Sequence, residues 1–364
     1  MNVLIVVSHL RRGGLVEVVY NLCRRLHENV EDHIIVLSLR SEPVSSMMDE
    51  FRKVGIETIG LNCSYLLCEV APWLVAKRVH KIVVSRKIDI VHCHGYHPAL
   101  VCARLSRVHT MTTLHDRATE DFVNAYGCFV GNYMLTRYFK ALRRFDKNVA
   151  VSESGAVLYS GYLNNIDYVN NGIDTDKFCV ISDDDREARR KHLHLPTDGT
   201  LFVTSGRVER EKRCEEMVAF FSRKCNGKRV YLIVLGDGSR LESCKSIAKD
   251  CPNIIFTGRI TNVADYLQCA DYYISYSKSE GMSMAVCEAI ACGLYPVLSN
   301  IPSHVDVGKP VGGILFDDIE DVNIDNVISV SVDKKVLHNY IEMNFSTTSM
   351  MNRYVNVYKE LCAK

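Results

Sequence analysis

The chain has 364 residues, of which 47% are hydrophobic and 24% charged, values that exclude a disordered or fibrous protein and fit two globular domains. Its 44 Lys and Arg residues nearly balance 43 Asp and Glu residues, so the formal net charge of +1 indicates no nucleic-acid partner. The odd number of cysteines, 15, favours a reducing cytoplasm, and no apolar run approaches the roughly 18 residues of a membrane span.

Short runs rich in Val and Ile alternate with longer segments of helical periodicity, a pattern typical of parallel strands joined by crossover helices. The first series predicts strands at residues 3–7, 33–39, 57–61, 88–93, 110–115 and 148–152. The second series predicts strands at residues 200–206, 230–236, 253–258, 271–277 and 295–299. Because the pattern starts twice, we predict an α/β protein with two doubly wound, Rossmann-like domains whose strand ends face a cleft.

The connection between the two series contains an Asn-Gly turn and an acidic run, which indicate an exposed link. We therefore predict a first domain over residues 1–177, a second over 178–345, and an amphipathic terminal helix over 346–364 that packs onto a folded domain. Asp174 and Asp176 in the connection imitate a D-x-D metal motif, but their place in the Asn-Gly connection, away from the carboxyl end of any predicted strand, favours a turn.

Two adjacent glycines, Gly13 and Gly14, follow the first predicted strand and precede an apolar stripe at helical spacing. Such a loop lets a phosphate approach the backbone N–H groups at the positive end of the helix. A tight strand-to-helix turn explains the same residues equally well. The loop is not a dinucleotide fingerprint, because G-x-G-x-x-G is absent, and the later Gly236 and Gly238 also lack the third glycine.

Three histidines, His92, His94 and His97, lie at and just after the fourth predicted strand. The first two share one strand face, which could indicate a metal site. No carboxylate or cysteine is spaced to complete such a site. We therefore expect one of these histidines to line a binding site rather than to hold a metal ion.

The first half of the chain carries a local excess of cations. Residues 71–150 contain 13 basic and five acidic side chains, a difference of +8, and residues 132–147 mix these cations with aromatic and apolar side chains. The segment 132–147 could lie on an anionic membrane surface. A core-facing helix with a solvated basic face is the alternative.

A glycine and two cations follow the seventh predicted strand, at Gly206, Arg207 and Lys212. The guanidinium offers a fork for two phosphate oxygens, and the ammonium is a compact point charge. Both would suit a diphosphate leaving group. A solvated surface role is the default for such side chains elsewhere.

The strongest pattern spans residues 277–293, SKSEGMSMAVCEAIACG. A helix predicted to begin near Ser283 places Glu280 in the preceding loop and Glu288 in the second turn. Carboxylates accept sugar or ribose hydroxyls, and the helix dipole favours nearby phosphates. The alternative is a capped amphipathic helix with Glu288 on its solvated side.

This segment resembles the E-x7-E signature of the retaining GT-B glycosyltransferases of family 4, the glycosyl transferases group 1. Three further features match that family in the same order: the early glycine pair, residues 171–174 of the connection, and Gly206 and Arg207 with Lys212. The resemblance covers nearly the whole chain.

The resemblance implies transfer of a sugar from a nucleotide-sugar, expected to be UDP-linked, to a hydroxyl of a glycan or lipid-linked acceptor. It further implies retention at the anomeric carbon, and a place in bacterial surface polysaccharide synthesis. We expect no metal or other cofactor, because cations and a helix dipole take a metal's place beside the diphosphate. We expect work in the cytoplasm, with peripheral contact to the inner membrane face as an open alternative. A nucleotide-sugar epimerase of similar architecture and a nonenzymatic nucleotide-sugar binding protein also stay open.

Carried over by position, the resemblance assigns five residues to the donor. Gly14 meets the donor phosphate, and Arg207 and Lys212 hold the diphosphate. Glu280 contacts the donor sugar and Glu288 the nucleotide ribose.

The resemblance also places His115 near the sugar, although a histidine that only caps the strand end is an alternative. The remaining predicted donor contacts are Gly13, Gly206, Gly281, Met282 and Ser283. The family often has Gly-Phe-Gly where this chain has Gly-Met-Ser at 281–283, so the identity of the donor sugar stays open.

Overall fold

A computed structural model describes residues 1–29, 33–115, 117–225 and 227–363. It divides into two compact units, one formed by Met1–Gly172 together with the chain from Thr347 onward, the other by Ile173–Ser346. Over the described residues, no helix is both long and apolar enough to span a bilayer.

The first unit contains a parallel sheet of seven strands in the order β3-β2-β1-β4-β5-β6-β7. The strands are β1 Asn2–Val7, β2 His33–Arg40, β3 Glu57–Cys63, β4 Ile90–His94, β5 His109–Leu114, β6 Lys147–Ala150 and β7 Ile166–Tyr168. The helices between them are α1 Gly14–Asn29, α2 Met48–Lys53, α3 Tyr65–Val70, α4 Pro72–Ser85, α5 Tyr96–Cys102, α6 Ala118–Leu142 and α7 Glu153–Ser160.

The second unit repeats this arrangement with a parallel sheet of six strands in the order β10-β9-β8-β11-β12-β13. The strands are β8 Thr200–Ser205, β9 Val230–Leu235, β10 Ile254–Gly258, β11 Tyr272–Ser275, β12 Tyr295–Ser299 and β13 Ile314–Phe316. The helices are α8 Asp183–His192, α9 Cys214–Lys224, α10 Leu241–Ile247, α11 Val263–Cys269, α12 Met284–Ala291, α13 Pro302–Gly308, α14 Ile324–Ile328 and α15 Lys334–Phe345. Three short 3₁₀ helices lie at Arg210–Lys212, Lys309–Val311 and Ile319–Asp321.

The predicted fold class, two doubly wound Rossmann-like domains, is confirmed by these two sheets. All eleven predicted strands form, because a strand covered on both faces carries a continuous apolar run. In β1, for example, Leu4 is fully buried and pairs with Ile35 and Val91 on either side. The prediction missed β7 and β13, which are three-residue strands at sheet edges and too short to stand out as apolar runs.

The last helix, α16 Thr347–Cys362, belongs to the first unit and packs against α1. Met350, Tyr354 and Tyr358 are buried along its apolar face. The Tyr354 hydroxyl lies 2.8 Å from Thr113 Oγ1 in β5. The predicted terminal helix therefore forms and packs back onto a folded unit.

The units change between Gly172 and Ile173, ahead of the predicted boundary at 177/178. The connecting segment forms hydrogen bonds with the rest of the second unit. Ile173 N donates to Phe345 O at 2.8 Å, and Gln268 Nε2 donates to Lys177 O at 3.3 Å. Lys177 N donates to Asp174 Oδ1, as in a turn.

Candidate active site

The strand order reverses between β1 and β4 in the first sheet, and between β8 and β11 in the second. In open parallel sheets, ligands bind outside the carboxyl ends of the strands at this switch point. The loop with Gly13 and Gly14 follows β1, and the loop with Gly206 and Arg207 follows β8. Both predicted phosphate loops therefore lie at switch points of their own units.

A cavity of about 350 Å³ lies beyond the carboxyl ends of β1 and β4 in the first unit. Its lining includes Gly13, Gly14, His94 and Gly95. Gly14 is the first residue of the 16-residue helix α1, so the positive end of a helix dipole borders the cavity. A Cβ at Gly14 would meet no atom within 4 Å, so the backbone there is open to a ligand.

His94 and His115 form a pair beside this cavity, with His94 Nδ1 2.8 Å from His115 Nε2. Burial lowers the pKa of His115 to about 4 and holds the pKa of His94 well below its usual range, so both rings are neutral near pH 7. His94, one of the three histidines at 92–97, lines the cavity, whereas His115 is not among the lining residues. His92 instead lies fully in the core, between Tyr358 OH and Thr113 Oγ1.

The loop after β8 in the second unit depends on glycines. Gly206 and Gly236 both have φ near +138°, and a Cβ on Gly236 would lie 1.9 Å from the carbonyl oxygen of Gly206. The loops after β8 and β9 can therefore approach this closely only with glycine at 236. The sequence indicated only that Gly236 is not part of a dinucleotide fingerprint.

Arg207 and Lys212 line one cavity together with Gly206. Two hydroxyl side chains from the β11 end, Ser275 and Ser277, belong to the same lining. The structure thus brings together the predicted glycine and both predicted cations, and it adds serines that the sequence analysis did not select.

Lys212 contacts the predicted sugar-binding carboxylate, with Nζ 2.8 Å from Glu280 Oε1. The Glu280 side chain is only 11% exposed. Burial alone would raise the pKa of Glu280, but contacts with His304 and Lys212 outweigh burial and lower this pKa. Glu280 is therefore an ionised, hydrogen-bond-accepting carboxylate at neutral pH.

The sequence analysis missed His304, a fully buried residue of α13. Its Nε2 lies 3.5 Å from Glu280 Oε1, and its Nδ1 lies 3.0 Å from Ser299 O and 3.1 Å from Ser299 Oγ. Since the Ser299 hydroxyl donates to Ser277 O at 2.7 Å, Nδ1 faces two acceptors and carries a hydrogen. His304 comes shortly after a predicted strand, as Glu280 does, and this position was the available signal.

The helix of the E-x7-E segment begins at Met284, with Ser283 just before it, close to the predicted start. Met282 and Ser283 are buried, and Gly281 and Glu288 are half-buried. Burial, above all, raises the pKa of Tyr273, and the Glu280 and Glu288 carboxylates add to this rise. Both glutamates therefore act on the same tyrosine, whose hydroxyl lies 3.3 Å from Ser205 Oγ at the end of β8.

No group of three or more His, Cys, Asp or Glu side chains is arranged to hold a metal ion in the parts of the chain that the structure describes. What the geometry supplies in the second unit is two cations, an ionised carboxylate and several hydroxyls at one switch point. In the first unit it supplies a glycine loop at a helix start and a neutral histidine pair.

Each half of the chain matches a family model of known proteins. Residues 12–177 match the family model described as Glycosyltransferase Family 4, and residues 185–343 match the model described as Glycosyl transferases group 1. The two matches are adjacent and together cover most of the sequence.

Among curated relatives, the O-antigen biosynthesis glycosyltransferase WclY of Escherichia coli is 23% identical over 292 residues, covering 76% of this chain and 80% of the relative. The UDP-Gal:alpha-D-GlcNAc-diphosphoundecaprenol alpha-1,3-galactosyltransferase of Escherichia coli is 26% identical over 352 residues, covering 90% and 86%. Among solved structures, Anabaena HepE in complex with UDP and glucose superposes with a TM-score of 0.79 at 14% identity, covering 99% of this chain and 100% of that one. The protein is therefore a glycosyltransferase of the GT-B fold, whose first half matches the Glycosyltransferase Family 4 model and whose second half matches the Glycosyl transferases group 1 model.

Proposed function

We propose that this glycosyltransferase transfers a sugar from a nucleotide-sugar donor to a hydroxyl of a glycan or lipid-linked acceptor, with retention at the anomeric carbon. The observation that carries the proposal is the contact between Lys212 and Glu280 beside Arg207. It sets cations suited to a diphosphate next to a carboxylate suited to sugar hydroxyls. The named activities of the two Escherichia coli relatives support an acceptor in bacterial surface polysaccharide synthesis.

In the proposed reaction, the bond between the anomeric carbon and the diphosphate oxygen breaks while the acceptor oxygen bonds to the same face of that carbon. The departing diphosphate oxygen develops negative charge, and it accepts the proton of the acceptor hydroxyl as this bond forms. Arg207 and Lys212 would neutralise that charge, which is the stabilisation that matters most in the transition state. The Lys212 ammonium has three donors, so it can contact phosphate while keeping Glu280.

Glu280 would accept hydrogen bonds from the hydroxyls of the donor sugar. Its contacts with Lys212 and His304 hold one oxygen of the carboxylate, which fixes the side chain for this task. We assign Glu288 to the nucleotide ribose, and Gly206 with residues 281–283 to the donor through their backbone groups. These assignments rest on position in the family pattern and on burial near Tyr273.

In the first unit, we assign donor phosphate contact to Gly13 and Gly14 and sugar contact to the His94–His115 pair. The neutral pair supports this, because one ring nitrogen can donate to a sugar hydroxyl without carrying a charge. His94 lines the cavity and His115 hydrogen-bonds to it, so His115 would act by orienting His94.

We propose UDP as the donor nucleotide, which the Anabaena structure with UDP and glucose supports for a protein of this fold. The test is a panel of UDP-, GDP- and ADP-sugars scored for tight binding and for slow hydrolysis. We expect saturable binding and hydrolysis with UDP-sugars. Failure of every nucleotide-sugar to bind would overturn the proposal, and preference for GDP or ADP would replace the nucleotide.

The two earlier alternatives give different products. An epimerase would rearrange the donor sugar without an acceptor, and a binding protein would release no nucleoside diphosphate. The glycosyltransferase relatives do not favour either alternative. We further propose that the reaction needs no metal or other cofactor, and that it takes place at the cytoplasmic face of the membrane.

A further inference from the structure

Two adjoining cavities, of about 310 and 600 Å³, lie on a surface of the first unit formed by α4, α5 and α6. Arg104 and Arg144 line both of them. The cations that line one or both cavities are Lys77, Lys81, Arg104, Arg137, Lys140 and Arg144. Neither lining contains an acidic residue. The two cavities together, called the groove below, therefore have a strongly positive potential.

Most of this charge is uncompensated. Arg137 is paired with Glu69 of α3. Among the described side chains, no carboxylate forms an ion pair with the other five cations, all of which are exposed. Positive groups that stabilise no internal partner are available to an external anion.

The helix α6 presents two different faces after its kink at Gly127. Phe129, Tyr133, Arg137 and Lys140 follow one another at spacings of four, four and three residues, so they share one face. Phe129 is 94% exposed and Tyr133 is 60% exposed. The exposed face thus carries aromatic rings towards its start and cations towards its end.

The opposite face of α6 packs into the core through Met134, Tyr138 and Leu142. The segment 132–147 therefore includes a core-facing helix, as the alternative to membrane contact predicts. That alternative accounts for the buried residues, but not for Phe129 and Tyr133, which lie in solvent.

Apolar side chains of the neighbouring helices extend the exposed face. On α3 and α4, Leu66 is 66% exposed, Val70 61% and Trp73 48%. The Glu69–Arg137 ion pair joins α3 to α6, so these side chains and those of α6 belong to one surface. Since α3 follows the carboxyl end of β3, the apolar end of this surface reaches the edge of the sheet that borders the Gly14 cavity, whereas Arg104 and Arg144 precede β5 and β6 and lie towards the opposite edge.

We propose that this surface, the exposed face of α3, α4 and α6, docks on an anionic lipid bilayer. The aromatic and aliphatic groups enter the boundary between headgroups and acyl chains, while the unpaired cations contact lipid phosphates. Exposed apolar rings beside cations suit a bilayer better than a soluble polyanion, which would leave the rings in water. A lipid-linked acceptor would then be presented at the edge of the sheet that carries the site.

This inference rests on the proposed function only where it concerns a lipid-linked acceptor, because docking itself requires no catalysis. The chain has a single tryptophan, Trp73, which lies on the proposed surface and reports docking directly. Full-length protein is mixed with phosphatidylglycerol vesicles or with neutral phosphatidylcholine vesicles at low and high salt. Tryptophan emission and co-sedimentation are recorded in parallel.

We expect a blue shift of Trp73 emission and at least about tenfold more sedimented protein with anionic than with neutral vesicles, decreasing as salt rises. Lys140→Glu with Arg144→Glu should abolish most of this binding, and Phe129→Ser should weaken it and reduce the salt-resistant part. The matched control reverses two exposed cations of the second unit, Lys224→Glu with Lys249→Glu, and should bind like the wild type.

Equal sedimentation with both vesicle types, or equal loss of binding in the control, would overturn the proposal. The proposal would also be overturned if double-stranded DNA shifted the Trp73 emission as much as anionic vesicles do, because the groove would then bind any polyanion. Donor hydrolysis measured without vesicles distinguishes the two proposals. A protein that hydrolyses the donor but does not bind vesicles refutes only the docking proposal. A protein that binds vesicles but hydrolyses no donor refutes only the proposed reaction.

Discussion

Lys212 Nζ lies 2.8 Å from Glu280 Oε1, and this contact joins the loop after β8 to the loop after β11. The two strands are neighbours at the switch point of the second sheet, although 68 positions separate the two residues. A cation and an anion from distant parts of the sequence are therefore held at the place where open parallel sheets bind ligands.

Removing either of the two cations that we assign to the diphosphate should slow the reaction. We expect Lys212→Ala and Arg207→Ala each to lower turnover by at least about a hundredfold, because losing one preorganised charge-stabilising group costs about 2.7–4 kcal/mol. Steady-state kinetics with the best donor of the nucleotide-sugar panel provide the measurement. Lys249→Ala, an exposed lysine of the same unit, is the control. Folded variants with near wild-type turnover would remove these residues from the mechanism.

His304 should act through Glu280 as a positioning residue. We expect His304→Gln to lower turnover by about tenfold, the equivalent of about 1.4 kcal/mol of transition-state stabilisation, because the imidazole lies 3.5 Å from Glu280 Oε1 and its loss lets the carboxylate move. Because the two residues act together, Glu280→Gln with His304→Gln should be no slower than Glu280→Gln alone. Additive losses in this double-mutant cycle would show that His304 acts independently of Glu280.

Activity should persist in excess EDTA, because in the proposed reaction Arg207 and Lys212, with a helix dipole, would supply the positive charge beside the diphosphate. Turnover is measured before and after chelation, and again after adding Mn²⁺ or Mg²⁺. Complete loss of activity on chelation, with recovery by either ion, would contradict this prediction. Asp174 and Asp176 would then become candidate metal ligands.

Gly236→Ala should disrupt the proposed donor site. Its Cβ would lie 1.9 Å from Gly206 O, so the loop carrying Arg207 must move. We expect a large loss of nucleotide-sugar binding, measured by calorimetry. Gly312→Ala is a matched control, because Gly312 also has a positive φ, +73°, but has no atom within 4 Å of the added Cβ. Equal effects of the two changes would attribute the loss to backbone strain alone.

Stability should fall when the solution becomes acidic. Burial, with a smaller effect of His115, lowers the pKa of His92 from 6.5 to about 3. Between these two pKa values, the unfolded chain binds a proton at His92 that the folded chain does not bind. The contribution of His92 to the free energy of unfolding is therefore fully present above pH 6.5 and decreases below it. One such histidine contributes a slope of about 1.4 kcal/mol per pH unit.

Urea unfolding at pH 5, 6, 7 and 8 tests this dependence. We expect His92→Gln to reduce the slope between pH 6 and pH 5 by about one proton, while the exposed His192→Gln leaves it unchanged. An identical slope in the wild type and in His92→Gln would show that other groups cause the acid sensitivity.

The sequence alone determined the architecture of this protein, since eleven apolar runs became eleven strands. It also selected Gly206, Arg207, Lys212 and Glu280, which the structure places together, because residues that follow buried parallel strands must collect at one edge of the sheet. Both inferences depend on local pattern and on short spacings along the chain.

Only the tertiary structure decided which of these residues touch and what holds them. His304 contacts Glu280 across 24 positions of sequence, and Gly236 packs against Gly206 from the next strand. His115 hydrogen-bonds to His94 instead of lining the cavity itself. Such contacts depend on strand register and on side-chain packing between elements, which no pattern within one segment records.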